Sequence, residues 1–136
     1  MDKAQFSQEN FPIVECGREP CGNKITVQLQ YIRKTHGSGI ILANETQDFN
    51  KHATVVCKVV KVGQIAYKHR DTGEDWKEGA WAAVGDIVLM PRHGGMNRVE
   101  IPLPDNKDET VIFATYNDFE VVDKLTGQFE HYTKLL

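Results

Sequence analysis

The sequence predicts an all-β fold, a small barrel or sandwich of short strands. Three observations support this prediction. Short runs of β-branched residues recur along the chain, and Gly, Pro, Asn or Asp separates each run from the next. No stretch keeps a helical period over three turns. Many short strands with frequent turn signals are typical of small antiparallel barrels and sandwiches, and the 136 residues are enough for one domain with a modest core.

The predicted strands follow one another between these turn signals. Residues 24–32 alternate polar and apolar side chains, which predicts a strand with one face in water. Residues 54–62 hold five valines and end before Gly63. The later predicted strands are residues 87–90, 99–101, 110–116 and 119–122, and a last one around 128–133 that follows a turn at 126–127.

Two of the predicted connections are much longer than a small sheet requires. A structureless connection such as residues 33–53 is uncommon in a compact domain, and is usually functional or disordered. The second connection is residues 63–83, and the Asp-Thr-Gly sequence at 71–73 predicts the tip of a protruding hairpin. Trp81 is predicted to pack at the base of this hairpin, and Trp76, among charged residues, to be exposed or at a subunit contact.

The composition is that of an ordinary globular domain, with 40% hydrophobic and 26% charged residues. Sixteen basic and nineteen acidic residues give a net charge of −3, which is too weak and too mixed to indicate a nucleic-acid partner. No apolar run is long enough to span a bilayer, and the first residues lack the apolar stretch of a signal peptide. We therefore expect a cytoplasmic protein with no membrane partner.

Candidate residues for catalysis or metal binding are few. Cys16, Cys21 and Cys57 are odd in number, which disfavours a disulfide framework and fits a reducing cytosol. Their spacing lacks the paired Cys-x-x-Cys motif of zinc sites, and no Gly-x-Ser-x-Gly or phosphate-binding loop is present. Residues 92–98 hold two arginines and a histidine around two glycines; they can cradle an anion, but a solvated loop is the preferred interpretation because no helix N-terminus is predicted nearby. We expect no enzyme activity, no cofactor and no metal.

Three consecutive large aliphatic residues, Ile40, Ile41 and Leu42, lie within the first long connection. Gly37 and Gly39 precede them, and ten mostly polar residues follow. A solvated loop gains nothing by exposing such side chains to water, so they either pack on their own core as a short strand or bind a partner. The permissive glycines and the polar flanks favour a partner.

The energetics indicate that one such loop binds weakly. Burying three aliphatic side chains contributes roughly 1.5–3 kcal/mol each, whereas ordering a dozen backbone residues costs about 1–2 kcal/mol apiece. Several linked copies raise the overall avidity by factors of about 10²–10⁴ without new contacts. The pattern therefore predicts a symmetric oligomer whose loops contact another oligomer.

Further motifs follow the aliphatic triplet in a characteristic order. Val-Val-Lys-Val-Gly lies at residues 59–63, Val-Gly-Asp-Ile-Val-Leu at 84–89, and a late strand at 110–113 precedes Asn-Asp-Phe-Glu-Val-Val at 117–122. This order resembles the GroES-like co-chaperonins, which carry a Gly-Gly-Ile-Val-Leu type mobile loop followed by Val-X-Val-Gly and Val-Gly-Asp-Ile-Val motifs. The resemblance covers about residues 22–125.

The resemblance implies a small GroES-like β-barrel at residues 22–125, with a mobile loop at 33–53 and a roof hairpin at 63–83. An N-terminal extension at 1–21 and a C-terminal extension at 126–136 would flank the barrel. Both extensions, the stretch at 92–98 and a serine in place of a family glycine at residue 38 depart from the bacterial pattern and resemble phage-encoded members, which would work in the host cytoplasm.

The resemblance also implies a function and a partner. Seven identical subunits would form a dome that caps a GroEL-like chaperonin ring and assists ATP-dependent protein folding, while hydrolysing nothing itself. The extensions leave the number of subunits open. The chaperonin-binding residues would be Gly39, Ile40, Ile41 and Leu42.

Two other interpretations stay open. The same barrel can serve as a phage virion protein, namely a capsid decoration or cement subunit. Its extensions and long loop would then bind to the capsid shell. Such a protein copurifies with capsids, whereas a co-chaperonin forms free rings and binds a chaperonin only with nucleotide present. A small-molecule-binding barrel is the third interpretation, and only the fold favours it.

Overall fold

Six antiparallel strands form one sheet in the computed structural model, which describes residues 11–30 and 54–127. The strands are β1 (Lys24–Leu29), β2 (Thr54–Val62), β3 (Ile87–Pro91), β4 (Met96–Pro102), β5 (Thr110–Asn117) and β6 (Asp123–Lys124). Their order across the sheet is β4-β5-β1-β2-β3-β6, and each neighbouring pair is antiparallel. Within the described residues the one helical element is a 3-10 turn, Asp118–Glu120. The predicted all-β class is confirmed as a single antiparallel sheet with almost no helix.

Most strand positions agree with the sequence prediction, and two differ. β2 has the predicted bounds, whereas β4 begins at Met96 and so includes part of the stretch predicted as a loop at 92–98. The predicted strand at 119–122 is wrong, because this stretch begins as a 3-10 turn and the short strand β6 comes after it. The predicted strand around 128–133 lies outside the described residues.

Polar side chains explain why β5 does not continue into the predicted strand. The Asn117 N–H donates to the Glu120 carboxylate at 2.9 Å, which closes the 3-10 turn. The Asp118 carboxylate is only 1% exposed and accepts the Tyr67 N–H at 2.8 Å and the Asn23 Nδ2 at 3.3 Å. A buried carboxylate needs such donors, so the chain turns here to supply them.

The largest hydrophobic cluster lies on one face of the sheet. Alternate residues of a strand point to the same face, so Ile25, Val27 and Leu29 of β1 meet Cys57 and Val59 of β2 in this cluster. Ala114 and Tyr116 of β5 and Val88 and Met90 of β3 complete it together with Val55, Tyr67 and Ala82. The valine-rich run of β2 thus supplies the centre of the main core.

The N-terminal segment, residues 11–21, covers part of the opposite face. Phe11 is 1% exposed and packs with Val56, Ile87 and Leu125. Cys16 packs farther along the sheet, with Leu103, Val111 and Phe113. Between these two anchors the amide of Gln28 donates to the Pro12 carbonyl at 2.9 Å.

This packing overturns the prediction of a wet face on β1. Thr26 is 0% exposed and Gln28 is 3% exposed, although their alternation with apolar residues predicted contact with water. The polar side chains are buried because the N-terminal segment and both neighbouring strands surround β1. β1 is therefore a central strand with two dry faces.

Two glycines occupy positions where no side chain fits. A Cβ on Gly63 would lie 2.2 Å from the Gly22 carbonyl oxygen, since the Gly63 N–H donates to the Lys24 carbonyl at 2.8 Å and draws the two backbones together. A Cβ on Gly95 would lie 2.9 Å from the Tyr116 ring. The glycine at 95, predicted as part of a loop, instead allows the chain to pass over a core tyrosine.

The buried Tyr116 hydroxyl predicts a specific loss of stability in alkali. It donates to the Pro91 carbonyl at 2.8 Å, and burial raises the pKa of Tyr116 to about 12. Because the folded protein holds this proton more tightly than the unfolded chain, its contribution is complete below pH about 10 and disappears as the pH approaches 12. The Tyr116→Phe variant loses one hydrogen bond, about 1 kcal/mol, and because it has no phenol to ionise it also lacks this sensitivity to pH. The gap in unfolding free energy between wild type and variant should therefore close between pH 10 and 12 in urea titrations. A gap that stays constant over that range would contradict the assignment.

Candidate functional site

The four predicted chaperonin-binding residues, Gly39, Ile40, Ile41 and Leu42, lie outside the described residues. The structure describes the points at which their connection is attached. Leu29 pairs with Cys57 in the β1–β2 ladder, and the Gln30 N–H donates to the Val56 carbonyl at 3.0 Å. The connection therefore leaves and re-enters the sheet at adjacent points on two paired strands.

The length of this connection is not required by the topology. An antiparallel pair can be joined by a two-residue hairpin, yet β1 ends at Leu29 and β2 begins at Thr54, so 24 residues (30–53) lie between them. The strands that carry the connection are held on both sides, β1 by β5 and β2 by β3. A long insertion on a rigid base can serve a function without disturbing the sheet.

Two arginines lie beside the start of β2. Arg92 Nη2 donates to the Thr54 carbonyl at 3.4 Å, and Arg98 Nη2 donates to the Arg92 carbonyl at 2.7 Å. Burial, and then the nearby positive charge of Arg98, lower the pKa of the Arg92 guanidinium from its ordinary value. Both side chains donate to backbone carbonyls, and Glu120 approaches Gly94 from the same region. This arrangement ties the ends of β2 and β3 together and gives no support to an anion cradle at 92–98.

The second long connection, residues 63–83, contains one antiparallel bridge. Lys68 pairs with Asp75, and their side chains form an ion pair at 2.9 Å. Inside the bridge the Gly73 N–H donates to the His69 carbonyl at 2.8 Å, with Gly73 at φ +76°. The turn thus closes at the Asp-Thr-Gly sequence that predicted it, and its residues are exposed.

Three aromatic rings pack together at the base of this connection. The Trp76 ring centroid lies 5.3 Å from those of both Tyr67 and Trp81. Trp76 was predicted to be exposed or at a subunit contact, but it is half-buried against the main core. Trp81 contacts both rings as predicted for the base, yet it remains 37% exposed. Tyr67 adopts φ +61°, and the Asp118 carboxylate holds its N–H in place.

A groove of about 180 Å³ lies between the N-terminal segment and the sheet. Val14, Val60 and Phe113 form its apolar part, and Lys58 and Lys61 line it as well. Pockets that bind drug-sized ligands usually measure about 300–1,000 Å³. This groove is therefore smaller than the usual site of a drug-sized ligand and adds no support to the small-molecule-binding interpretation.

The described residues contain little that indicates metal or thiol chemistry. Cys16, Cys21 and Cys57 are free thiols, and burial raises the pKa of the Cys57 thiol, which keeps it protonated in the core. No three His, Cys, Asp or Glu side chains come together as a metal site within residues 11–30 and 54–127. No helix in these ranges has both the length and the apolar character to cross a membrane.

No protein-family model matches the chain, and no curated protein matches it. The resemblance to GroES-like co-chaperonins thus depends on the ordered motifs alone. Sequence reasoning missed the packing of residues 11–21 on the sheet and the buried Asp118. The apolar Phe11 within the polar N-terminal region was the available signal for the first of these.

Proposed function

We propose that this protein is a co-chaperonin that caps a chaperonin ring through the aliphatic residues Ile40, Ile41 and Leu42. The observation that carries the proposal is the position of this triplet. It lies in a 24-residue connection (30–53) between two paired strands that need only a short turn. Large aliphatic side chains that are flanked by glycines and polar residues are expected in a segment that buries them in a groove of another protein.

The mechanism is one of weak contacts made many times. Each connection orders on an apolar groove of the ring, and because the cost of ordering its backbone exceeds the gain from burying its three side chains, one connection alone binds weakly or not at all. Several subunits in one closed assembly bind together, so the lid is held firmly while each single contact stays weak. A change of state in the ATP-hydrolysing ring then releases the lid, because it needs to weaken each contact only slightly.

The frame of the sheet supports such a role. The connection is attached to β1 and β2, which are central strands, so the attachment points are held in place by neighbours on both sides. The glycine of the Val-X-Val-Gly motif, Gly63, lies where β2 leaves the sheet and passes against the backbone of Gly22. The glycine of this family-like motif thus has a structural reason in the sheet, because no side chain fits at its position.

The packing of the N-terminal segment is less favourable to the virion alternative. A cement protein whose N-terminal extension laces onto a shell needs that extension to be available. Within residues 11–21, the part of that extension which the structure describes, Phe11 and Cys16 are instead buried against the subunit's own sheet. We therefore retain the co-chaperonin as the preferred function.

The test is the Ile41→Asp variant, with Ile13→Asp as its matched control. Ile13 is 92% exposed, so the control introduces the same charge on the same side chain without touching the proposed site. A charge on every loop removes about 1.5–3 kcal/mol of burial per copy, so binding to a chaperonin ring in the presence of nucleotide should fall more than a hundredfold. The Ile13→Asp variant should bind as wild type. Co-sedimentation with the ring and electron microscopy of the mixture would measure both.

Either of two results would refute the proposal: a folded and assembled Ile41→Asp variant that still binds the ring, or a wild-type chain that forms no closed assembly. Copurification with capsids, together with indifference to chaperonin and nucleotide, would identify the virion alternative.

A further inference from the structure

The outer edge of β4 carries a pattern of charges and backbone groups that is complementary to itself. β4 is the terminal strand of the sheet and pairs with β5 on one side. Among the described residues, no strand pairs with its other side. Unpaired edges of this length are usually shortened, covered or used for association.

The register shows which backbone groups point away from β5. The Leu103 N–H donates to the Glu109 carbonyl, and Ile101 and Val99 lie opposite Val111 and Phe113. Hydrogen-bonded and non-bonded positions alternate along an antiparallel pair, so Val99 and Ile101 direct their N–H and C=O groups towards β5. The Arg98 carbonyl and both backbone groups of Glu100 therefore point outward.

The side chains of the same two residues are exposed and carry opposite charges. The β4–β5 register shifts between Met96 and Val99, so contacts and not spacing show the face of Arg98. Arg98 reaches the Tyr116 hydroxyl and Glu100 lies opposite Ile112, and both partners belong to the face of the main core, so the two side chains share that face. Glu100 accepts a hydrogen bond from Thr110 through one carboxylate oxygen. Arg98 donates through Nη2 to the Arg92 carbonyl and to the Tyr116 hydroxyl. The N–H groups on its other two side-chain nitrogens can therefore donate to a further partner. Each side chain thus keeps capacity for a further partner.

We propose that this edge pairs with the same edge of a second copy of the chain, in antiparallel orientation about a two-fold axis at Val99. This register places Arg98 of each copy opposite Glu100 of the other, so two ion pairs form at once. The Glu100 N–H of each copy donates to the Arg98 carbonyl of its partner. A register centred on Glu100 would oppose two carboxylates, and one centred on Ile101 would oppose Glu100 to Pro102, which has no N–H.

The proposed contact is independent of the lid function. A two-fold contact uses the same patch on both copies, whereas the contacts around a closed ring join two different patches. Edge pairing therefore joins one subunit to one other subunit through identical strand edges, and it can join one closed assembly to another in the same way. Failure of the ring would leave this pairing intact, and failure of the pairing would leave the ring intact.

Two charge-reversal variants test the pairing, each alone and then mixed. Arg98→Glu alone opposes two pairs of carboxylates, and Glu100→Arg alone opposes two pairs of guanidinium groups. Each should raise the dissociation constant of the two-fold contact about tenfold or more. In a mixed pair the introduced carboxylate at position 98 of one variant faces the introduced guanidinium at position 100 of the other. The unchanged Glu100 of the first variant likewise faces the unchanged Arg98 of the second, so mixed pairs should form with near wild-type affinity. Lys107→Glu, in the exposed β4–β5 turn, is the control for the change in net charge and should pair as wild type.

Native mass spectrometry with one variant isotope-labelled would identify the mixed pairs, and sedimentation would measure their affinity. Recovery on mixing also shows that both variants are folded. The proposal is overturned if either variant alone associates like wild type, or if the mixture stays as unpaired as its components. It is equally overturned if the wild-type chain shows no two-fold association.

Discussion

Replacing Gly63 with alanine should destabilise the protein by about 3 kcal/mol. The added Cβ would lie 2.2 Å from the Gly22 carbonyl oxygen and 2.9 Å from the Lys24 carbonyl oxygen. Both obstacles are backbone atoms, so a side-chain rotation cannot relieve them. Relief requires separating two segments that the Gly63 N–H joins through its bond to Lys24, and that hydrogen bond would weaken as well. Urea unfolding followed by tryptophan fluorescence would measure the loss.

Gly73→Ala is the matched control for Gly63→Ala. Gly73 has φ +76° and no atom within 4 Å of an added Cβ, so alanine there meets conformational strain but no clash. The expected cost is roughly 1–2 kcal/mol. Equal losses in the two variants would show that the close backbone approach at Gly63 is not what requires glycine.

Removing the Phe11 side chain should cost about 3–5 kcal/mol, the usual range for truncation of a buried phenylalanine. Phe11 is 1% exposed and fills the space between Val56, Ile87 and Leu125. Its loss leaves a cavity and also loosens the segment that covers Gln28. Since the whole stability of a domain is only about 5–15 kcal/mol, Phe11→Ala should lower the thermal midpoint strongly.

Ile13→Ala provides the control for Phe11→Ala. Ile13 belongs to the same segment but is 92% exposed, so its truncation should change the unfolding free energy by less than about 0.5 kcal/mol. A Phe11→Ala variant as stable as wild type would mean that the N-terminal segment is not part of the folded unit in solution. Both measurements need only calorimetry on the 136-residue chain.

The strands were predictable because their signal is local. The bounds of β2 follow from a dense run of valines that ends at a glycine, and the turn at 71–73 follows from Asp-Thr-Gly. The prediction failed at 119–122, where the short apolar and β-branched run Phe-Glu-Val-Val suggested another strand. Asp118 decides that stretch, because its buried carboxylate binds a backbone N–H about fifty residues away in sequence, at Tyr67.

For the candidate site, the sequence alone indicated the triplet at 40–42 and its glycine flanks, and the fold added that the two strands beside their connection are paired. β1 and β2 pair with each other, so a short turn would be enough to join them, yet 24 residues (30–53) lie between them. No local pattern reports that adjacency, because it depends on which strands meet after folding.

By itself, the order of residues along the chain determined the all-β class, the bounds of most strands and the aliphatic triplet. These properties depend on neighbours a few positions apart, where backbone preference and side-chain alternation act directly. Tertiary packing alone decided that β1 has no wet face, that Gly63 admits no side chain and that β4 ends the sheet. Each of these properties depends on which distant segment lies against the residue or strand after folding. The burial of a residue is therefore decided by the segment that covers it as much as by its own side chain.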